Sequence, residues 1–295
     1  MKTLLALIND PVNSEGFIRY SVEMAGDMNM NLHLFYIQNP ALYTLSSGTA
    51  AATSHPVGSE IDVVRLEEER KNAITSIEKN LENFRNTISP DISINVSSEA
   101  GAMDLVVSRL VAENKADMLI VEGQDEKDLW IMDSSNTELI LRANCPGWLV
   151  PSGAKYKSCR KIIYATDYHE KDIQTLRDLI NITGRLSPEI TALHITDSDA
   201  AGDKTEKPEF RENIVRQTGY TKISAQSIKD EKGKDLGENI HDYATGVNAD
   251  LIVLLKENKK FFERIFKSSV TKKVMKKTTL PVLVYHEKLL EESSD

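Results

Sequence analysis

The chain of 295 residues contains two cysteines, Cys145 and Cys159, and neither belongs to a CxxC pair. That excludes a disulfide framework and a thiol-redox or zinc motif, and leaves Cys145, ahead of Pro146 and an apolar strand, as a small core residue. No apolar run approaches the ~18 residues of a membrane span. Met1-Lys2-Thr3 leads into a strand rather than a signal peptide, so a cytoplasmic location without membrane contact is expected. Positive charge is not in excess: the net charge of −9 argues against specific nucleic-acid binding. Catalytic signatures are missing as well. The six histidines form no HxH or HExxH pattern, and neither GxSxG nor a paired-carboxylate motif is present. His33 and His194 fall on strands, where a packed or hydrogen-bonded histidine is the expectation. The chain therefore reads as a protein that is not an enzyme and holds no metal.

What the chain does contain is one sequence written twice. The stretch LLALINDPVNSEGFIRY returns as KIIYATDYHEKDIQTLR, with Asp10 aligning on Asp167, Gly26 on Gly184 and Ile37 on Ile195. Ala116-Asp117-Met118-Leu119-Ile120-Val121 returns as Ala249-Asp250-Leu251-Ile252-Val253-Leu254, and Pro146-Gly147-Trp148-Leu149-Val150 as Pro281-Val282-Leu283-Val284-Tyr285. The offset between copies holds, drops by about 25 residues and holds again, which places an insertion in the first copy, about 38–60. A repeat this long exceeds the roughly 20–50 residues of a solenoid unit. It marks two domains, 1–151 and 158–287, joined by the short polar linker of 151–158. The insertion, centred on Pro40–Ser59, carries no Asp, Glu, Lys or Arg and reads as a surface loop.

In each copy, strand-length apolar runs alternate with segments of helical period. The first copy predicts strands at 3–8, 31–37, 91–97, 117–122 and 147–150, and helices at 14–28, 61–87, 103–114 and 134–143. The second predicts strands at 161–165, 189–195, 222–228, 250–255 and 282–285, and helices at 172–183, 208–218, 233–243 and 268–277. Strands of Leu, Ile and Val without polar alternation are buried on both faces. Regular alternation of strand and helix then gives an α/β protein: two tandem, doubly wound, parallel five-stranded sheets of Rossmann-like, adenine nucleotide alpha-hydrolase-like topology.

Ala165-Thr166-Asp167, Asn248-Ala249-Asp250-Leu251-Ile252-Val253 and Ser268-Ser269-Val270…Leu280-Pro281-Val282-Leu283-Val284, in this order and with counterparts in the first copy, resemble the universal stress protein family in tandem form. The resemblance implies ligand contact at the carboxyl ends of the strands: Asp10 and Asp167 near base and ribose, with Thr166 beside Asp167, and Ile37 and Ile195 offering backbone to an adenine. Nucleotide-binding members carry Gly-x2-Gly-x9-Gly-Ser/Thr after the fourth strand, where glycine exposes backbone N–H groups to phosphate and the last pair begins a helix. In the first copy the motif falls on Gly123, Glu126, Asn136 and Thr137, within five acids and one lysine over Glu122–Asp133. In the second it falls on Lys256, Lys259, Ser268 and Ser269, with Val270 following. The ATP motif is thus degenerate in both copies.

ATP binding is not expected in the first copy. ATP or AMP is admitted only in the second, where nine Lys or Arg stand against Glu257 and Glu263 over Lys256–Lys277, a net +7. That stretch also fits an acidic or phosphate-bearing partner. The related pyrophosphatase architecture would need Ser-Gly-Gly-x-Asp-Ser after the first strand, and the chain has Asn9-Asp10-Pro11-Val12-Asn13-Ser14 there. The leading expectation is a stress-response factor working through dimerisation and partner or ligand binding. Its apolar last strands would pair as an intrachain pseudo-dimer, with a homodimer beyond it. The alternative is a sensor of a nucleotide or other anion in the second cleft.

Overall fold

A computed structural model describes residues 1–38, 60–84, 88, 91–113, 115–123, 139–140, 142–196, 204–230, 236–256 and 280–286. It divides into two compact units, Met1–Glu122 and Gly123–Asp295. The first unit runs β1 (Thr3–Ile8), α1 (Glu15–Met28), β2 (Asn31–Gln38), α2 (Glu60–Glu82), β3 (Ile94–Ala100), α3 (Met103–Ala112) and β4 (Met118–Glu122). Its strands lie in the order β3-β2-β1-β4, all parallel. Leu4–Ile8 and Met118–Val121 are buried, as strands covered on both faces must be.

The second unit runs β5 (Gly147–Val150), β6 (Lys161–Ala165), α4 (Glu170–Thr183), β7 (Glu189–Thr196), β8 (Lys204–Glu206), α5 (Pro208–Thr218), β9 (Ile223–Lys229), α6 (Leu236–Gly246), β10 (Leu251–Lys256) and β11 (Val282–His286). Its strand order is β5-β11-β10-β6-β7-β9-β8. The strand that closes the first repeat, β5, runs antiparallel to the strand that closes the second, with Leu149 opposite Val282, Trp148 opposite Leu283 and Gly147 opposite Val284. Every residue of both strands is buried. The compact units accordingly divide at Glu122/Gly123, upstream of the 151–158 segment where the sequence repeat turns over.

The α/β class and the doubly wound parallel layout are as the sequence implies, with two differences. The second repeat carries a sixth strand, β8, which lies antiparallel along β9. Lys204-Thr205-Glu206 has neither apolar alternation nor β-branched enrichment, so a three-residue edge strand leaves no periodic trace. In the first repeat the third strand lies at 94–100 rather than 91–97. It pairs with β2 alone, is half-exposed, and runs on through Ser98, Glu99 and Ala100 where an apolar criterion stops too early. The 40–59 insertion and the helices expected at 134–143 and 268–277 fall wholly or largely outside the described residues. Among those described, no helix is long and apolar enough to cross a membrane.

The repeated Ala-Asp pair has a mechanical role. The Asp117 N–H donates to the Thr3 carbonyl (2.9 Å), while Asp117 Oδ2 accepts from the Thr3 N–H (2.7 Å). In the second unit the Asp250 N–H donates to the Lys161 carbonyl (2.8 Å), and Asp250 Oδ2 accepts from the Arg160 and Lys161 N–H groups (3.0 Å each). Each aspartate thus clasps the start of the neighbouring first strand and fixes the register of the central strand pair. Asp250→Ala leaves two backbone donors without their carboxylate and should cost about 1–3 kcal/mol, Asp117→Ala somewhat less. Urea unfolding checks this: the midpoint should fall at unchanged m-value, further for Asp250→Ala than for Asp117→Ala.

Candidate functional site

Ligands of open α/β sheets sit outside the carboxyl ends of the strands, and the two repeats treat that edge differently. In the first unit, Asp10 and Ile37 stand at the ends of the adjacent strands β1 and β2. The Asp10 carboxylate is consumed by its own loop. Oδ1 accepts from the N–H groups of Val12 (3.0 Å) and Asn13 (3.2 Å), and Oδ2 from the Asn13 side-chain amide (2.8 Å). These donors, the Asn13 side chain foremost, hold the carboxyl below its ordinary pKa. It is a turn-fixing aspartate. Gly123 is likewise committed, since its N–H donates to the Val150 carbonyl (2.8 Å) and is not turned toward a phosphate. Thr137 lies outside the described residues.

The second repeat builds its edge around a residue absent from the sequence expectations. Asp172, in the first turn of α4, is 2% exposed. Its Oδ1 accepts from Tyr164 Oη (2.6 Å), and its Oδ2 from Thr166 Oγ1 (2.5 Å) and the His169 N–H (2.9 Å). The Asp172 N–H returns a bond to the His169 carbonyl (3.1 Å). Burial pushes this carboxyl up to about 6, the negative charge of Asp167 adds to the rise, and the three donors oppose it. Thr166, 3% exposed, is therefore a structural hinge. Its hydroxyl bridges Asp172 and the Tyr168 N–H (2.8 Å), and its backbone N–H pairs with the Leu193 carbonyl (2.9 Å).

Asp167, next in sequence, is turned to solvent and accepts no hydrogen bond among the described residues. Tyr168 follows with φ of 67°, a left-handed backbone unusual for a bulky residue. Its ring lies 5.0 Å from that of His194 and 4.8 Å from that of Phe210, and its hydroxyl meets Ser227 Oγ at 3.0 Å. Burial raises the phenol pKa, while the Ser227 bond opposes the rise. His194 Nδ1 lies 2.9 Å from the Thr166 carbonyl, an acceptor only, so this nitrogen carries the proton.

Ile195 sits on β7 beside this cluster, and Lys256 ends β10, its backbone paired with His286. β10 and β7 flank β6, so Thr166, Asp167, Ile195 and the backbone of Lys256 converge on one edge. Lys259, Ser268, Ser269 and Val270 lie outside the described residues. His33, in the first unit, bonds Ser97 Oγ (2.6 Å) and Asn95 (3.3 Å), a packed histidine as expected. Among the described residues no three His, Cys, Asp or Glu side chains come together as a metal site.

Asp172, Tyr168, Phe210 and Ser227 were not singled out from sequence. For Asp172 a signal existed: an acid three residues after the residue that opens a helix has the spacing of a reciprocal cap. The other three depend on tertiary proximity across β7, β9 and α5.

The class defined by these observations is a doubly wound α/β protein. Residues 158–286 match the model of the universal stress protein family, the family that the motifs of the second repeat resemble. The fold likeness extends over nearly the whole chain. A universal stress protein from Archaeoglobus fulgidus DSM 4304 is similar at a TM-score of 0.61 and 13% identity, covering 96% of each chain. A functionally unknown protein from Pseudomonas aeruginosa PAO1 is similar at a TM-score of 0.54 and 14% identity, covering 99% of this chain and 95% of that one. A putative universal stress protein from Pseudomonas aeruginosa UCBPP-PA14 stands at 0.54 and 13%, with 99% and 96% covered. At such identities the likeness is one of fold. No curated protein matches the chain.

The buried carboxyl generates a pH dependence. Its pKa of about 6 lies above the ordinary value of 3.8, so between the two the folded chain holds a proton that the unfolded chain has released. Stability from this group is full below about pH 4 and is lost as pH rises through about 6, by up to about 3 kcal/mol. Comparing urea unfolding of the wild type with Asp172→Asn should show the wild type gaining on the variant as pH falls from 7.5 to 5. A difference that stays constant across that range would contradict the assignment.

Proposed function

We propose that the chain is a tandem universal stress protein, a stress-response factor without catalytic chemistry of its own. Its second repeat binds a small phosphate-bearing ligand of the nucleotide class, ATP or AMP, at the carboxyl edge of β6 and β7, and its first repeat serves as a structural partner. One contrast carries this reading: both aspartates are exposed, but Asp10 spends its carboxylate on Val12 and Asn13, whereas the equivalent Asp167 accepts no hydrogen bond among the described residues. A solvated carboxylate at the end of a first strand is suited to accept hydrogen bonds from vicinal hydroxyls of a sugar. The net +7 of Lys256–Lys277, a stretch that begins where β10 ends, favours an anionic ligand. In the first repeat the acidic stretch Glu122–Asp133, net −4, opposes one.

A second reading rests on that same change of sign. The Lys256–Lys277 segment docks an acidic protein partner, and such an attraction weakens with salt as the Debye length falls from ~10 Å at 0.1 M to ~3 Å at 1 M. Assembly would begin with the intrachain pair of last strands and extend to a homodimer. Calorimetry of the full chain with AMP distinguishes the two. On the nucleotide reading, Asp167→Ala weakens AMP about tenfold, equivalent to ~1.4 kcal/mol, Asp10→Ala leaves it unchanged, and ATP incubated with the protein releases no phosphate. Loss of AMP binding in Asp10→Ala, or none in Asp167→Ala, would reverse the assignment of roles. On the partner reading, Lys256→Glu with Lys259→Glu abolishes salt-sensitive pull-down of acidic proteins and leaves AMP binding intact.

A further inference from the structure

The outer edge of the first repeat is open where the same edge of the second is closed. β3 and β9 are counterparts: Ile94 lies beside Leu32 on β2 as Ile223 lies beside Ile190 on β7. The far side of β9 is covered by antiparallel β8, with Thr205 opposite Ser227 and the Lys207 N–H donating to the Ala225 carbonyl (2.9 Å). Among the described residues β3 pairs with β2 alone. The Ser93 carbonyl accepts from the Leu32 N–H (2.8 Å) and the Gly101 N–H donates to the Gln38 carbonyl (2.9 Å). The odd-numbered residues of β3 therefore turn their backbone toward β2. Ile94, Val96, Ser98 and Ala100 turn theirs outward, with no partner strand among the described residues. The side chains register the missing cover too. Ile223 and Ala225 are 4% and 3% exposed, whereas their counterparts Ile94 and Val96 stay only half-buried. Little blunts this edge: its sequence INVSSEA holds no Lys, Arg or Pro. Arg109 of α3 bonds Glu99, and Leu105, one turn earlier on the same helix face, is 69% exposed.

We propose that β3 is the interface of a homodimer, pairing antiparallel with β3 of a second copy across a twofold axis at Ser97. The inference rests on the reading that the chain assembles beyond its intrachain strand pair, and it supplies the surface. An edge strand takes on a partner strand through its outward main-chain groups, and a twofold interface requires the strand to complement itself. β3 does so in the register centred on Ser97, where all seven of its residues find a partner. Val96 stands opposite Ser98 of the second copy and Ile94 opposite its Ala100, each pair exchanging backbone hydrogen bonds. Between them Asn95 faces Glu99 of the second copy, an amide donor against a carboxylate. A register centred on Glu99 would set two carboxylates face to face and leave Ile94 with no strand residue opposite. The second copy thus covers Val96 and Ser98 as β8 covers their counterparts Ala225 and Ser227.

Sedimentation of the full chain over a dilution series measures the dimer, and substitutions in β3 place it. Val96→Pro removes an outward N–H and leaves the bonds to β2 in place, since an edge strand tolerates proline. Val96→Lys adds the charge with which edges are ordinarily blunted. Each should raise the dimer dissociation constant about tenfold, the equivalent of ~1.4 kcal/mol, with circular dichroism unchanged. Cross-linking reads the register independently of stability. In Ser97→Cys two thiols meet across the axis, where facing Cα atoms of a non-hydrogen-bonded pair stand about 4.5 Å apart, and mild oxidation should give a covalent dimer. In Asn95→Cys the two thiols are offset by about 13 Å along the strands, beyond disulfide reach, and no covalent dimer should form. The native Cys145 and Cys159, 3% and 1% exposed, do not compete. A dimer indifferent to both Val96 substitutions, or one that Ser97→Cys fails to cross-link, overturns the inference and leaves the homodimer reading standing. A wild type that is monomeric throughout the series overturns both.

Discussion

A carboxylate taken out of water must find donors or give up its charge, and that constraint organises the carboxyl edge of the second repeat. Asp172 meets it with two side-chain hydroxyls and one backbone amide, all drawn from residues 164–169. Those three bonds draw the segment between β6 and α4 into a single course. Once Thr166 is turned inward to reach the carboxylate, the next residue faces outward, which is why Asp167 is solvated. The residue after that must turn sharply back toward the helix, which is where the left-handed Tyr168 arises. A single acid in the first turn of a helix thus decides what its neighbours offer to solvent.

The first repeat answers the same topological problem with different means. Its loop after β1 has Asp10 bonding forward to Val12 and Asn13, so the carboxylate that ends the strand also stabilises the turn. In the second repeat these duties are separated: Asp172 stabilises the turn and Asp167 is released from it. Duplication followed by such a division of labour leaves two halves alike in strand order and unlike in chemistry. The lysines gathered on one copy and the acids on the other, at matching places in sequence, extend the same divergence.

Much of the fold was legible because it rests on period and composition. Gly147–Val150, Lys161–Ala165 and Pro208–Thr218 fall where the apolar pattern sets them. β8 escaped because three polar residues at an edge carry no period, and β3 was displaced because an edge strand tolerates Ser98 and Glu99. Asp250 was recognisable as part of a motif, but its grip on Arg160 and Lys161 depends on the register between β10 and β6, which no local pattern encodes. The site was less legible still. Asp10 and Asp167 look equivalent in sequence, and only the geometry of their loops tells them apart. Tyr168, His194, Phe210 and Ser227 come from four elements and meet only after the sheet has formed.

The antiparallel seam between β5 and β11 has a consequence in time. β5 leaves the ribosome 131 residues ahead of β11, with residues 151–281 between them. At the roughly 5–20 residues per second of synthesis, that interval lasts about 7–26 s, far longer than a hairpin takes to form. Throughout it Trp148 and Leu149 have no partner strand at Leu283 and Val282. The nascent chain therefore carries an apolar ribbon that it cannot yet close, and its encounters with chaperones and with neighbouring copies on the same messenger RNA fall within that window.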